Sequence, residues 1–163
     1  MGMKRASIAA LAMALGAGAS AQDASQWRVV SPPYLGGGQA AMVCPLQDEF
    51  NTACIAVVCP ADKALHVAFL GVGGGVFEDF YNLRFTFDGK PMTDIRFHRM
   101  QVAEGLEYYR ELIPAEPRTQ LLNALQSGSS GQYQFVGVRG TTRGFSLAGS
   151  KAAISKVTRA CKK

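Results

Sequence analysis

Four cysteines constrain the fold of this 163-residue chain more than any other feature of its sequence. Cys44, Cys54 and Cys59 lie close together, and Cys161 lies next to the C-terminus. An even number of cysteines in an exported chain favours disulfides, because compartments outside the cytosol allow thiols to pair. We therefore predict two disulfides, and the spacing alone leaves all three possible pairings open.

The first residues indicate that the chain is exported. Lys4 and Arg5 precede an uncharged run rich in Ala and Leu at residues 6–19, and residues 19–21, Ala-Ser-Ala, give an A-x-A cleavage pattern. These are the parts of a secretory signal peptide, and the apolar run is too short to anchor the chain in a bilayer. We expect residues 1–21 to be removed, and residues 22–163 to be periplasmic or secreted, without a transmembrane anchor.

Length and charge narrow the possibilities for the mature chain. Residues 22–163 are enough to bury one hydrophobic core, so a single domain is expected. The formal net charge of +5 falls to +3 without Lys4 and Arg5, because 15 basic residues then stand against 12 acidic ones. This small and scattered surplus differs from the dense basic face of a nucleic-acid-binding protein, so no nucleic-acid partner is expected.

The sequence lacks a convincing metal or cofactor motif. No C-x-x-C spacing occurs, and His66 and His98 are isolated from the cysteines along the chain. Segment 71–76 resembles a dinucleotide-binding loop, but Val76 stands where a third glycine is required and no βαβ pattern surrounds it. We expect no metal and no cofactor, and we interpret segment 71–76 as a connection between strands.

Strand patterns dominate the chain. Apolar, β-branched or alternating runs predict strands at residues 27–30, 53–58, 64–70, 83–87, 95–98, 132–138 and 144–147. The run 53–58 is continuously apolar, which indicates a buried strand. In the run 64–70, the period of two places Leu65, Val67 and Phe69 on one face and His66 on the other, outer face.

Asp88-Gly89 gives the clearest hairpin signal, because alternating runs at residues 83–87 and 95–98 flank it. A tight two-residue turn, continued in register, would put the apolar residues of the second run on the polar face of the first. We therefore predict an odd loop of three or five residues that ends near Pro91. Such a loop, with a bulge, keeps the apolar side chains on one face.

Two helices are predicted, one before the strands at 132–138 and 144–147 and one after them. Pro117 suits a first helical position, residues 121–125 carry leucines at helical spacing, and Gly128 suits a C-terminal cap. Ser150 offers an N-cap for a closing helix in which residues 154, 157 and 161 face inward. A disulfide from Cys161 would close a loop of about 100 residues and restrict the unfolded chain by roughly 4 to 5 kcal/mol.

These patterns together predict an α+β fold. It is mainly antiparallel β, either sandwich-like or a curved sheet, with one short helix and a C-terminal helix, and it is stapled by disulfides.

Few residues are candidates for chemistry. Ser146 resembles half of a nucleophile elbow, but the second glycine is missing and neither an acidic residue nor a histidine follows it, so we interpret it as a strand-end serine. His66 and His98, each on a predicted outer face, could act as acid or base. Arg84, Arg96 and His98 could form a cationic patch for an anionic ligand on the exposed face of the hairpin.

The C-terminal half resembles a known family. Its features are Phe-Asp-Gly at 87–89, a leucine helix with a glycine turn at 121–128, and Phe-Ser-Leu-Ala-Gly-Ser-Lys-Ala-Ala-Ile at 145–154. This order is similar to the invasion-associated locus B family and related small periplasmic proteins of alphaproteobacteria, in which an F-x-L-x-G strand leads into an Ala-rich closing helix. The resemblance spans roughly residues 80–161, and it implies a compact β-rich envelope protein without catalytic residues to carry over.

Two positions depart from that family. Ser150 stands where the family has a phenylalanine after the glycine, and the family's central cysteine pair has no counterpart at residues 90–130. A role in host invasion is therefore not carried over.

We therefore predict a non-catalytic periplasmic or secreted module that binds a protein or a cell-wall component of the envelope. Its candidate binding loops are residues 32–38 and 71–75, which are rich in glycine or proline. Two alternatives stay open. One is an inhibitor of an exported hydrolase, whose rigid loops would lose little entropy on binding, and the other is a hydrolase that uses His66 or His98.

Overall fold

A computed structural model describes residues 26–32, 35–45, 54–70, 79–103, 106–112, 116, 118–139 and 142–162. The strands in these ranges are β1 Arg28–Val30, β2 Gln39–Val43, β3 Cys54–Cys59, β4 His66–Leu70, β5 Phe80–Phe87, β6 Lys90–Pro91, β7 Ile95–Ala103, β8 Leu106–Leu112, β9 Ser130–Phe135 and β10 Arg143–Ser146. The helices are α1 Arg118–Ser127 and α2 Ser150–Cys161. The predicted signal peptide and segment 71–76 lie outside the described residues.

All of these strands belong to one antiparallel sheet, in the order β1-β2-β3-β4-β8-β7-β5-β9-β10, with the short β6 paired to β5. The two edges of the sheet are joined through Trp27, which precedes β1. Its backbone N–H donates to the carbonyl of Ala148 (3.1 Å), and its indole Nε1 donates to the carbonyl of Ser146 at the end of β10 (2.8 Å). The sheet is therefore strongly curved, which confirms the predicted β-rich class with a curved sheet.

The inner face of the curved sheet encloses the main hydrophobic core. Both helices contribute to this core, and α2 packs against β1, β2 and β3. Phe69 lies near its centre, with the ring of Phe97 edge-on at 5.2 Å and the ring of Tyr133 at 5.0 Å. The largest fully buried side chains of the core are Phe69, Phe85, Phe97, Ile55, Leu83, Leu121, Leu125 and Ile154.

The hairpin turn at Asp88-Gly89 differs from the predicted one. Phe87 pairs directly with Lys90, so the turn has two residues, and both have positive φ (48° and 78°) as in a type I′ turn. The predicted odd loop is therefore wrong. The two-residue turn forms because Asp-Gly is well suited to the left-handed conformation at both positions.

The register is corrected further along the chain. After β6 the pairing shifts by one residue, so that Leu83 pairs with Ile95 and Tyr81 pairs with Phe97. The extra residue lies at 92–94, between β6 and β7, and acts as a bulge. The apolar side chains of β5 and β7 consequently share one buried face, as predicted.

The helices form close to the predicted places. Helix α2 begins one residue earlier than the predicted cap requires, because Gly149, with φ of 78°, is the N-cap and makes no side-chain capping bond. Ser150 is instead the first helical residue and is buried. Ile154 and Val157 are fully buried, which confirms the inward-facing stripe. Pro117 lies outside the described residues, and in the described part of the chain no helix could cross a membrane.

Two disulfides connect the elements around β3. Cys44–Cys54 joins the end of β2 to the start of β3, and Cys59–Cys161 joins the end of β3 to the last residue of α2. Their sequence separations are 10 and 102 residues. The expected pair of disulfides is confirmed, and the long one fastens the closing helix to the sheet.

Candidate functional site

The outer face of the sheet has two halves of opposite character. On β2, β3 and β4 most of the described outward side chains are fully buried and the others are half-buried, and we call this region the covered half. On β5, β7 and β9 many of them are polar and exposed, and we call this region the open half. Outward residues of the covered half are Ala40, Ala56, Val58, His66 and Ala68, and those of the open half include Arg84, Arg96, His98, Gln132 and Gln134.

His66 lies on the covered half and is fully buried. The predicted strand face is right, but the predicted surface position is wrong. The physical reason lies in the neighbouring β3, where Val58 pairs with His66, because β3 is apolar on both faces and both of its faces are covered. The continuous apolar run of β3 was the signal that its partner strand would be covered as well.

His98 lies on the open half and is exposed. Strand β8 separates β4 from β7, so the structure does not bring His66 and His98 together. Among the described residues, no group of three or more His, Cys, Asp or Glu side chains is arranged to hold a metal ion.

Arg84, the first residue of the predicted cationic patch, is engaged within the protein. Its Nε and one terminal nitrogen donate to the two carboxylate oxygens of Asp94, at 2.7 and 2.9 Å. This bidentate contact raises the pKa of Arg84 and lowers the pKa of Asp94. Both side chains are well exposed, so the pair adds little to stability, but it neutralises the charge that Arg84 would bring to a ligand.

Arg96 and His98, the other two patch residues, both lie near the exposed aromatic ring of Phe80. The guanidinium carbon of Arg96 lies 4.5 Å from the centroid of Phe80, and the Arg96 Nε donates to Asn82 Oδ1 at 3.4 Å. The centroid of the His98 ring is 6.4 Å from that of Phe80. Sequence reasoning missed Phe80 and Asn82, and only the register, which pairs them with His98 and Arg96, identifies them.

Ser146 lies at the end of β10, as predicted. Its hydroxyl accepts a hydrogen bond from the backbone N–H of Ala148 (3.1 Å), and its carbonyl accepts the indole N–H of Trp27. These contacts give Ser146 a structural role at the junction of the two sheet edges.

A second candidate surface is a cleft of about 340 Å³ beside the long disulfide. One wall is the glycine loop before β2, and the opposite wall is the turn after β3. The end of α2 contributes to the cleft as well. Its lining residues are Gly36, Gly37, Gly38, Gln39, Cys59, Pro60, Ala61, Lys63 and Ala160.

The walls of the cleft have a defined backbone conformation. Gly36 and Gly37 have φ of 58° and 89°, which favours glycine, and a Cβ on Gly38 would collide with the carbonyl of Cys59. On the opposite wall, Lys63 has a positive φ of 61°, and its Nζ donates to the carbonyl of Ala160 at 3.3 Å. The predicted binding loop 32–38 therefore reaches the cleft through residues 36–38.

Comparisons of the chain with protein-family models, with curated proteins and with solved structures found no match. The cleft and the open half are thus defined by the geometry of this chain itself. They lie on different strands, so each can be tested without disturbing the other.

Proposed function

We propose that this chain is a non-catalytic binding module, exported to the periplasm or secreted, which binds a protein or a cell-wall component of the bacterial envelope. The cleft is the proposed binding surface. The observation that carries the proposal is a concave site of about 340 Å³ with walls linked to the sheet and to α2.

Three contacts hold the walls of the cleft in place. Gln39 pairs with Cys59 across β2 and β3, Cys59 is bonded to Cys161, and Lys63 donates to the end of α2. A site that is ordered before binding loses less conformational entropy when its partner arrives. This preorganisation supports a role in binding.

The glycine wall favours a partner with many hydrogen-bonding groups. Glycines carry no side chain, so Gly36 and Gly37 let another molecule approach the backbone closely. Peptide segments and glycans both offer the donors and acceptors that such a backbone can match. This chemistry agrees with an envelope protein or a cell-wall glycan as the partner.

The envelope location is supported by three independent features. Disulfides persist in oxidising compartments outside the cytosol. The first residues have the pattern of a signal peptide, and the order of features over roughly residues 80–161 resembles the invasion-associated locus B family and related small periplasmic proteins.

The proposal is tested by filling the cleft and measuring partner retention. Ala61 is exposed and lines the cleft, whereas Ala152 is exposed near the opposite end of α2. We expect Ala61→Arg to lose roughly tenfold or more of the affinity for isolated sacculi or for the partner cross-linked in envelope extract, because a bulky charge occupies the site. Ala152→Arg should bind like the wild type. Equal binding by wild type, Ala61→Arg and Ala152→Arg contradicts the assignment of the cleft.

A further inference from the structure

The guanidinium of Arg96 is held in one place on the open half. It stacks over the ring of Phe80 at 4.5 Å, and its Nε is directed to Asn82 Oδ1. Both partners belong to β5, which pairs with β7 through this region. An arginine that is already oriented loses little side-chain entropy when it binds a ligand.

The outer edge of this guanidinium is not used by the contacts that orient it. Those contacts involve the Arg96 Nε and the face of the group, so the two terminal nitrogens contribute to neither. Within the described residues, the salt bridge on this sheet face is the Arg84–Asp94 pair. Two parallel N–H groups of a guanidinium match the two oxygens of a carboxylate.

The same sheet face already contains an example of that recognition. Arg84 lies on the outer face of β5, as Arg96 lies on the outer face of β7. Arg84 donates hydrogen bonds to both carboxylate oxygens of Asp94, at 2.7 and 2.9 Å. One arginine on this face is therefore satisfied by an internal carboxylate. The Arg84 contact uses Nε and one terminal nitrogen, whereas Arg96, whose Nε faces Asn82, leaves its two terminal nitrogens for the carboxylate of a ligand.

The surroundings of Arg96 add a second donor and an apolar surface. The centroid of the His98 imidazole lies 6.4 Å from that of the Phe80 ring. Phe80 is 43% exposed and Val136 is 37% exposed, and the Val136 N–H donates to the carbonyl of Asn82. A carboxylate at Arg96 would thus have exposed apolar side chains beside the rest of its molecule.

From these observations we infer that the open half binds a ligand with a carboxylate attached to an apolar body. The terminal nitrogens of Arg96 hold the carboxylate, His98 assists, and Phe80 contacts the apolar part. The site is separate from the cleft, so its failure would leave the proposed function untouched.

The test is a titration of the full mature protein with benzoate, followed by NMR at constant ionic strength maintained with chloride. The Arg96 Nε–H signal and the backbone signals of β7 report on the site. We expect saturable shifts, and tighter binding of benzoate than of acetate because Phe80 contacts the ring.

Four variants test whether the guanidinium group of Arg96, rather than net charge, binds the carboxylate. Arg96→Gln and Arg96→Lys should each weaken benzoate binding roughly fivefold or more, since lysine keeps the charge but loses the two-pronged contact. Arg28→Gln, which removes an equal charge from the exposed edge strand β1, should leave the affinity within about 1.5-fold, because exposed charges at a distance are screened. Asp94→Asn releases Arg84 and should add a second binding event, detected at the Arg84 Nε–H.

The opposite results overturn the inference. If Arg28→Gln and Arg96→Gln weakened benzoate binding equally, the effect would be one of net charge. If Arg96→Lys kept full affinity for benzoate, the bidentate contact of the guanidinium would not be used. Shifts that rise linearly without saturation, or an Arg84 signal that does not respond in Asp94→Asn, would also contradict it.

Discussion

The covered half and the open half of the outer sheet face belong to one sheet and are separated by strand β8, yet they are stabilised differently. In the covered half, the small side chains of Ala40, Ala56 and Ala68 are fully buried. In the open half, Arg84, Arg96 and His98 occupy the equivalent outward positions and meet solvent. The difference shows that strand alternation identifies which face a residue is on, whereas the neighbouring strands determine whether that face is available to a ligand.

The covalent links follow the same division. Both disulfides attach to β3 in the covered half, whereas the open half is held by its aromatic inner face and by surface hydrogen bonds. We therefore expect substitutions in the covered half to change stability and substitutions in the open half to change binding.

The largest effect should come from the long disulfide. Replacing Cys59 and Cys161 with serine frees a loop of 102 residues and should reduce the free energy of unfolding by about 5 kcal/mol in the entropic model. Replacing Cys44 and Cys54 opens a loop with a sequence separation of only 10 residues and should reduce the free energy of unfolding by about 3 kcal/mol. Urea unfolding of both double variants measures this ranking, and a larger loss from the short bridge would reverse it.

A polar group buried in the covered half should have the next largest effect. Ala56 is fully buried on the outer face of β3, so Ala56→Asn should cost about 3 kcal/mol through overpacking and desolvation. Gln132→Asn, on the exposed face of β9, should stay within about 0.5 kcal/mol of the wild type. Similar losses of stability in Ala56→Asn and Gln132→Asn would contradict the difference in burial between the covered half and the open half.

The two histidines give a smaller and more specific comparison. His66→Ala empties a buried position and should cost about 2 kcal/mol, whereas the exposed His98→Ala should cost less than about 0.5 kcal/mol. Thermal unfolding measures both values. Unchanged thermal stability of His66→Ala would indicate that the His66 side chain is exposed, which contradicts its burial.

The smallest effect should be the acid sensitivity of the open-half hairpin. Asp88 accepts hydrogen bonds from the hydroxyl of Ser129 (2.7 Å) and from the backbone N–H groups of Ser129 and Ser130 (3.1 and 2.9 Å). These bonds lower the pKa of Asp88 from 3.8 to about 2. Since the pKa is lower in the folded state, the stabilising contribution is complete above pH 4 and is lost as the pH falls toward 2.

Asp88→Asn removes this titration. Urea midpoints measured between pH 6 and pH 2 should fall less steeply for the variant than for the wild type, while at pH 6 the variant should be the less stable of the two. Parallel pH profiles would contradict the role of the Asp88 contacts.

Local patterns predicted much of this fold because they reflect local physics. The alternation in β5 placed Leu83 and Phe85 in the core, and the stripe in α2 placed Ile154 and Val157 there. The leucines of α1 follow the same rule, since Leu121 and Leu125 are buried.

The remaining features depend on contacts that a single pattern does not contain. The burial of His66 depends on β3, and the shared apolar face of β5 and β7 depends on a register shift at residues 92–94. Gly149 caps α2 where Ser150 was expected. The cleft is formed by segments about 20 and 100 residues apart along the chain, so no local sequence motif predicts it. Phe80 likewise became part of the candidate ligand site only through its pairing with His98.

The most direct test of the covalent division is disulfide mapping of the native protein, purified from its natural source with free thiols trapped at lysis. We expect an N-terminus at Gln22 and two linked peptide pairs, one containing Cys44 with Cys54 and the other Cys59 with Cys161. An intact leader together with four trapped thiols would contradict both the export of the chain and the covalent anchoring of its covered half.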